Sequence, residues 1–270
     1  MEMLLESQAG TQAVSRALSV LRAVADAGES GARMTDVARA LDLSIGTARR
    51  LLQVLAAEGL LLFDPRAKTY QVGAGLIALA VKASNAYAQR DHYMPAVMEV
   101  SSATGDTVCL LVRRGHEAVC LARIEGVFPI RVMTLDVGSI RPLGAGSGSL
   151  ALLAFLSDEE RTAIIARNAA EYPKYHLTAG KIEELVRKTR ARGYAVNPGL
   201  IIPGMVGIAV PIYHGPTLVA SINVMAIESR FPPKRQREVF GIVEAAVAKL
   251  KNLSTAAETP PQDLKRIGAR

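Results

Sequence analysis

At 270 residues, half of them hydrophobic, the chain has material for two domains at about 100–200 residues each. No apolar run approaches the ~18 residues a membrane-spanning helix needs, and the opening MEMLLESQAG carries acids where a secretory signal carries lysines, so a cytoplasmic protein is expected. The net charge of +7 and pI near 9.6 suit a polyanionic partner, yet the excess is spread. Lys and Arg outnumber Asp and Glu by 10 to 8 in residues 1–90, 17 to 15 in 91–248 and 5 to 2 in 249–270. Attraction to a polyanion must therefore come from local placement.

In chain order, residues 11–28 predict an amphipathic helix with the stripe Val14, Leu18, Leu21 and Ala25. From Met34 to Gly73 the chain reads as helix, tight turn, helix and hairpin. Val37, Ala38 and Leu41 give the first helix an apolar face. Asp42-Leu43-Ser44 makes the turn, with Ser44 placed to cap the next helix. Ala48, Leu51, Leu52 and Leu55 form that helix's stripe, and Gly59 supplies its left-handed stop. Outward on it lie Ile45, Gly46, Thr47, Arg49, Arg50 and Gln53, with no acid before Glu58. Small residues permit close approach to a major groove, and the polar ones donate to phosphates and base edges. Leu60–Phe63 and Thr69–Val72 then flank a turn at Asp64-Pro65 that carries Arg66 and Lys68, a basic wing beside the helix. The competing reading, a helical hairpin with a solvated charged face, does not account for capped turn, acid-free helix and basic wing occurring together.

Ala74–Arg90 is rich in Ala and Leu and predicts a connecting helix, and Asp91–Thr104 predicts another, opening on an acid as the helix dipole favours. Thr107–Val112 and Ala118–Ile124 read as strands about a turn at Gly115. A two-residue loop there would set Cys109 opposite Cys120. In a reducing compartment two buried free thiols are expected, and a redox-sensing pair is the alternative. Ser157-Asp158-Glu159-Glu160 is a capping box. Thr178 opens a helix that ends at Arg192-Gly193, Val206–Tyr213 and Leu218–Ile227 form a hairpin, and Pro232-Pro233 open a last helix to about Lys251. The tail beyond is polar and Pro-containing, and is expected to be disordered. This order predicts an α+β domain with an antiparallel sheet.

No nucleophile–base set can be assembled. His92, His116, His176 and His214 are scattered without metal-ligand spacing, and the capping box accounts for the acidic triplet at 158–160. No catalytic residue, metal or cofactor is expected. Gly144-Ala145-Gly146-Ser147-Gly148-Ser149 lacks the Lys of a phosphate loop, but it runs into a helix at Leu150–Leu156. It reads either as an anion-holding turn or as close packing. On the last strand Ala220, Ile222, Val224 and Ala226 form a core face. Val219, Ser221, Asn223 and Met225 form a mixed face that suits a small-molecule pocket or a solvated surface.

Three stretches in order resemble the IclR-type transcriptional regulators: Leu41–Gly73, Arg141–Leu156 (RPLGAGSGSLALLAFL) and Arg192–Met225. The resemblance implies a winged helix-turn-helix (residues 1–73), a linker helix (74–90), a GAF/PAS-like antiparallel-sheet sensor domain (91–253) and a tail (254–270). It implies homodimers or homotetramers on double-stranded DNA, repressing or activating catabolic genes under a small organic acid. Effector positions of the family fall here on Ser147, Gly148, Asn197, Gly207, Asn223 and Met225. An amide in place of an acid at Asn197, and Met225 in place of a hydroxyl, with room left by Gly207, imply a larger and less polar acid, aromatic or aliphatic. The DNA-contacting set is Ser44, Thr47, Arg49, Arg50, Gln53, Arg66 and Lys68, on recognition helices spaced one DNA turn apart in the dimer. Two rivals remain open at this point: a sensor whose helix-turn-helix contacts protein, and a small-molecule enzyme working at the 144–149 turn.

Overall fold

The computed structural model describes residues 2–82, 85–130, 135–214 and 217–257. The described chain falls into two compact units that meet between Tyr87 and Ala88.

The first unit holds α1 (Glu2–Asp26), α2 (Met34–Ala40), α3 (Ile45–Ala57), the hairpin β1 (Leu61–Asp64) and β2 (Thr69–Val72), and α4 (Ala74–Lys82). Its core joins Val20 and Val24 of α1 to Val37, Leu52, Leu55, Leu61 and Tyr70. The stripe on α1 therefore differs from the expected one: Val14 and Leu18 are exposed, at 62% and 47%, while Val20 and Val24 are fully buried. The helix is apolar on more than one side, so periodicity alone could not choose the face. α3 stops as its sequence directs. Gly59 adopts φ 70°, and Leu60 N–H donates to Leu55 O at 2.9 Å, the 6→1 bond of a Schellman cap. Gly73 packs on this cap so closely that a Cβ there would overlap Gly59 O.

The second unit holds α5 (Asn85–Thr104) from Ala88 onward, followed by β3 (Thr107–Arg114), β4 (Glu117–Ile124), β5 (Ile140–Pro142), α6 (Ser147–Ala154), α7 (Asp158–Asn168), α8 (Ala179–Arg192), β6 (Ala195–Pro198), β7 (Met205–His214), β8 (Thr217–Ile227) and α9 (Pro233–Ala257). The helix expected to open at Asp91 starts at Asn85, because nothing in between breaks it. Pro95 sits inside it and leaves the Asp91 carbonyl without its helical N–H. Of the tail, residues 254–257 continue α9, and the disorder expected further on lies outside the described residues.

The sheet runs β5-β4-β3-β8-β7-β6 with every pair antiparallel. β5 and β6 were not foreseen; at three and four residues they are too short to show alternation. Pro211 is tolerated in β7 because β6 pairs only as far as Ala209, so beyond that point β7 has an open edge. One sheet face packs Leu110, Ile208, Ile222 and Val224 against α5 and α9. The other packs Leu111, Ala209 and Met225 against α6 and α8. The alternation read on β8 thus holds where its side chains are described, and its mixed face is not a solvated one: Ser221 and Asn223 are 0% and 4% exposed.

The β3–β4 loop is Gly115-His116, one residue later than expected, so Arg114 faces Glu117. That register puts Leu111, not Cys109, opposite Cys120, and a bulge at Leu110/Leu111 then sets Cys109 opposite Arg123. Both cysteines are buried and free, on the α6 side of the sheet. Their mutual hydrogen bond and burial push Cys109 upward, so it stays a thiol.

Candidate functional site

On α3, Ser44 is the N-cap. Its Oγ accepts from Thr47 N–H at 3.2 Å and lies 2.9 Å from Thr47 Oγ1. Ser44 and Thr47 therefore fix the start of the helix, and their hydroxyls are already bonded to each other. At about 100° per residue, Gly46, Arg50 and Gln53 fall opposite the buried Ala48, Leu52 and Leu55, with Arg49 on their flank. Nothing lies within 4 Å of where a Gly46 Cβ would be, so the helix's leading edge is bare backbone. Arg49, Arg50 and Gln53 are exposed, as are Arg66 and Lys68 on the wing. No ion pair among the described residues occupies any of these four cations. Asp64 Oδ1 accepts from Arg66 N–H at 2.7 Å and Ala67 N–H at 3.2 Å, and Lys68 takes φ 57°. This Asx turn projects the two basic side chains from the hairpin tip.

The second candidate site is a cleft in the second unit, between the first turn of α6, the α6-facing side of β3, β7 and β8, and the loop at 199–204. It has a volume of about 460 Å3, open in part to solvent. All six expected effector residues, Ser147, Gly148, Asn197, Gly207, Asn223 and Met225, line it. They come from four separate elements, and the fold brings them together.

Several of them have structural duties. Ser147 Oγ–H donates to Asn223 Oδ1 at 2.7 Å. A Cβ on Gly207 would overlap Ser147 Oγ, so the missing side chain there does not enlarge the cleft as expected; Ser147 fills the space. A Cβ on Gly148 would come within 2.8 Å of Leu111 Cδ1, so Gly148 lets α6 lie close on β3. Asn197 Oδ1 accepts from Leu200 N–H at 3.1 Å and so shapes the 199–204 loop. Ser221 Oγ–H donates to Gly148 O at 3.0 Å, and Ser149 Oγ–H to Ala145 O at 2.6 Å. The glycine-rich turn is thus closely packed, and it also opens on the cleft. Its helix begins at Ser147 rather than Leu150, with Gly146 as N-cap at φ 100°. At the other end, Arg190 of α8 donates from Nε to Ala154 O at 2.6 Å and from Nη2 to Leu156 O at 2.9 Å, which anchors the last carbonyls of α6. Burial pushes Tyr172 up to about 12, and its hydroxyl donates to Leu143 O at 2.9 Å, holding the entry to the turn.

Sequence reading missed Arg141. It stands at the cleft wall, half-buried, its guanidinium 5.8 Å from the Tyr175 ring centre. Burial lowers its pKa, Tyr175 opposing, but an arginine remains charged. The available signal was its isolation: it is the one basic residue between Arg131 and Arg161 and directly precedes the glycine-rich turn. Among the described residues no His/Cys/Asp/Glu cluster could hold a metal, and no helix is long and apolar enough to cross a membrane.

A winged helix-turn-helix with unpaired cations on its outward face, on one chain with a helix-flanked antiparallel sheet that holds a cleft, defines a ligand-responsive DNA-binding regulator. Two family models match: the IclR helix-turn-helix domain over residues 13–65 and the bacterial transcriptional regulator IclR C-terminal over residues 83–252. The chain belongs to the IclR family of bacterial transcriptional regulators, and it is not an enzyme. It is 27% identical to the HTH-type transcriptional repressor AllR of Klebsiella pneumoniae over 263 residues, 95% of this chain and 93% of that one. An IclR transcriptional regulator from Alicyclobacillus acidocaldarius shares its fold, with a TM-score of 0.70 at 22% identity over 90% of this chain and 98% of that one. An IclR homologue from Microbacterium hydrocarbonoxydans, solved with 4-hydroxybenzoate, gives a TM-score of 0.69 at 21% identity over 89% and 99%.

Proposed function

We propose that this regulator controls catabolic genes and that a small organic acid in the cleft sets its affinity for its operator. The observation that carries this reading is the cleft itself: apolar walls at Leu135, Ile201 and Met225, a polar floor at Ser147 and Asn223, and one cation, Arg141. A concave, mostly apolar site with a few convergent polar groups is what a small ligand needs. The 4-hydroxybenzoate bound to the Microbacterium homologue supports an acid as ligand.

In this reading residues 1–73 are the DNA-binding head, 74–90 the link and 91–253 the sensor of a cytoplasmic homodimer or homotetramer. Arg50 and Gln53 read base edges in the major groove, Gly46 allows close approach, and Arg49, Arg66 and Lys68 grip phosphates. Ser44 and Thr47 present the helix start to the backbone. The effector acts by binding one arrangement of the paired heads more tightly than the other.

Fluorescence anisotropy on DNA from upstream of its own gene, against a scrambled duplex at physiological salt, tests the reading. The expected result is a preference of about 10³-fold or more. Salt-independent binding, or none to any duplex with or without acids, counts against it.

A further inference from the structure

Asn197, Asn223 and Met225 bring two amides and a thioether to the cleft, none of them charged. Among the described lining residues Arg141 is the one charged side chain, and no carboxylate lines the cleft. Three further features face the same space. The first-turn N–H groups of α6 have no intrahelical acceptors, and they lie beside Gly146, whose Cβ would stand 3.4 Å from an Arg141 guanidinium nitrogen. Asn223 is 96% buried, its Oδ1 is taken by Ser147, and its Nδ2 donates to no atom of the described residues. Leu135, Ile201 and Met225 supply apolar wall. Positive charge, a helix N-terminus and an amide donor at one end of an apolar cleft form a receptor for an anionic head on an apolar body.

We propose that Arg141 is the cation that receives the effector's carboxylate, with the α6 N-terminus and the Asn223 amide as its other donors. The ligand class is then a monocarboxylate whose remainder is apolar, and the neutral amide of the same acid is rejected. This inference rests on the reading of the cleft as the effector site. Arg141 forms the recognition in which a planar fork meets a carboxylate, while the family positions around it mainly shape the pocket. Half-burial raises the worth of the contact, since water competes less for both charges.

The test uses the full-length protein and named probes: pyruvate, benzoate and 4-hydroxybenzoate, with benzamide as the neutral control. Binding is read by calorimetry and by thermal shift. In the wild type, at least one of the acids binds at up to tens of millimolar and benzamide does not. Arg141→Gln weakens that acid by about tenfold or more, Arg141→Lys keeps part of the affinity, and Met225→Phe fills the cleft and abolishes binding. Circular dichroism and retained DNA binding check that each variant is folded. Benzoate and benzamide binding alike, or no acid binding at all, overturns the proposal without reference to any variant. If Met225→Phe blocks the acid and Arg141→Gln does not, the cleft stands and the role of Arg141 falls. If neither substitution changes acid binding, the site lies elsewhere and the proposed function of the cleft falls with it.

Discussion

The two units present their functional groups in opposite ways. On the head, Arg49, Arg50, Gln53, Arg66 and Lys68 stand in solvent on one helix and one hairpin, and none belongs to the core. In the sensor, Ser147, Asn223, Gly207 and Gly148 are simultaneously cleft wall and packing, so each holds a neighbour as well as facing the cavity. A surface that meets a large rigid polyanion needs only a rigid scaffold beneath it. A cavity that encloses a small molecule must be built from core residues, and function and stability there share the same atoms. Head substitutions are therefore expected to change affinity at constant stability, and sensor substitutions to change both.

Five substitutions can break or sharpen that contrast. The largest effect is expected at Asp106, whose carboxylate is nearly fully buried and accepts from Arg230 Nε–H at 2.7 Å. Both Arg230 and Arg235 also donate to Thr104 O, tying the end of α5 to the start of α9. Asp106→Ala should destabilise the sensor by about 2–3 kcal/mol in urea unfolding, with the partly exposed arginines limiting the loss. Next, Arg50→Ala should weaken operator binding by about 1–3 kcal/mol and relax preference at one base pair, at unchanged melting temperature. Weakening that is equal on every sequence would assign Arg50 to phosphate instead. Gly207→Ala drives a methyl into Ser147 Oγ and should destabilise by about 1–2 kcal/mol while lowering acid affinity; loss of stability alone would detach Gly207 from the site. The smallest effects belong to the wing. Arg66→Ala and Lys68→Ala should each reduce the slope of log affinity against log salt by about 1, leaving thermal stability and acid binding unaltered.

What could be read from the sequence follows the same division. The helix-turn-helix was legible because its signals are local: the Ser44 cap, the Ala48–Leu55 stripe, the Gly59 stop and the Asp64 turn each lie within a few residues of what they determine. The wrong stripe on α1 shows the limit of such signals, since a helix apolar on several sides gives no face to choose. In the sensor, local reading located β8 and its two faces and the caps at Ser157 and Thr178, all of which the structure bears out. It could not give the pairing. A β3–β4 loop one residue later than expected, followed by a bulge at Leu110/Leu111, shifts the cysteine register, three- and four-residue strands at the sheet edges are too brief for a period, and Ser147 meets Asn223 only because the fold brings positions 76 apart in sequence together. Arg141 was overlooked for the same reason: only the assembled walls show which way it faces.

The central claim is that occupancy of the cleft and grip on DNA are linked in one molecule. The direct measurement is operator affinity with and without a saturating acid shown by calorimetry to bind the cleft, in wild type and Met225→Phe. Linkage predicts a change of about 5–150-fold in wild type that disappears in the variant, while the variant still binds the operator. An acid that binds in the cleft and leaves operator affinity unaltered would contradict the account.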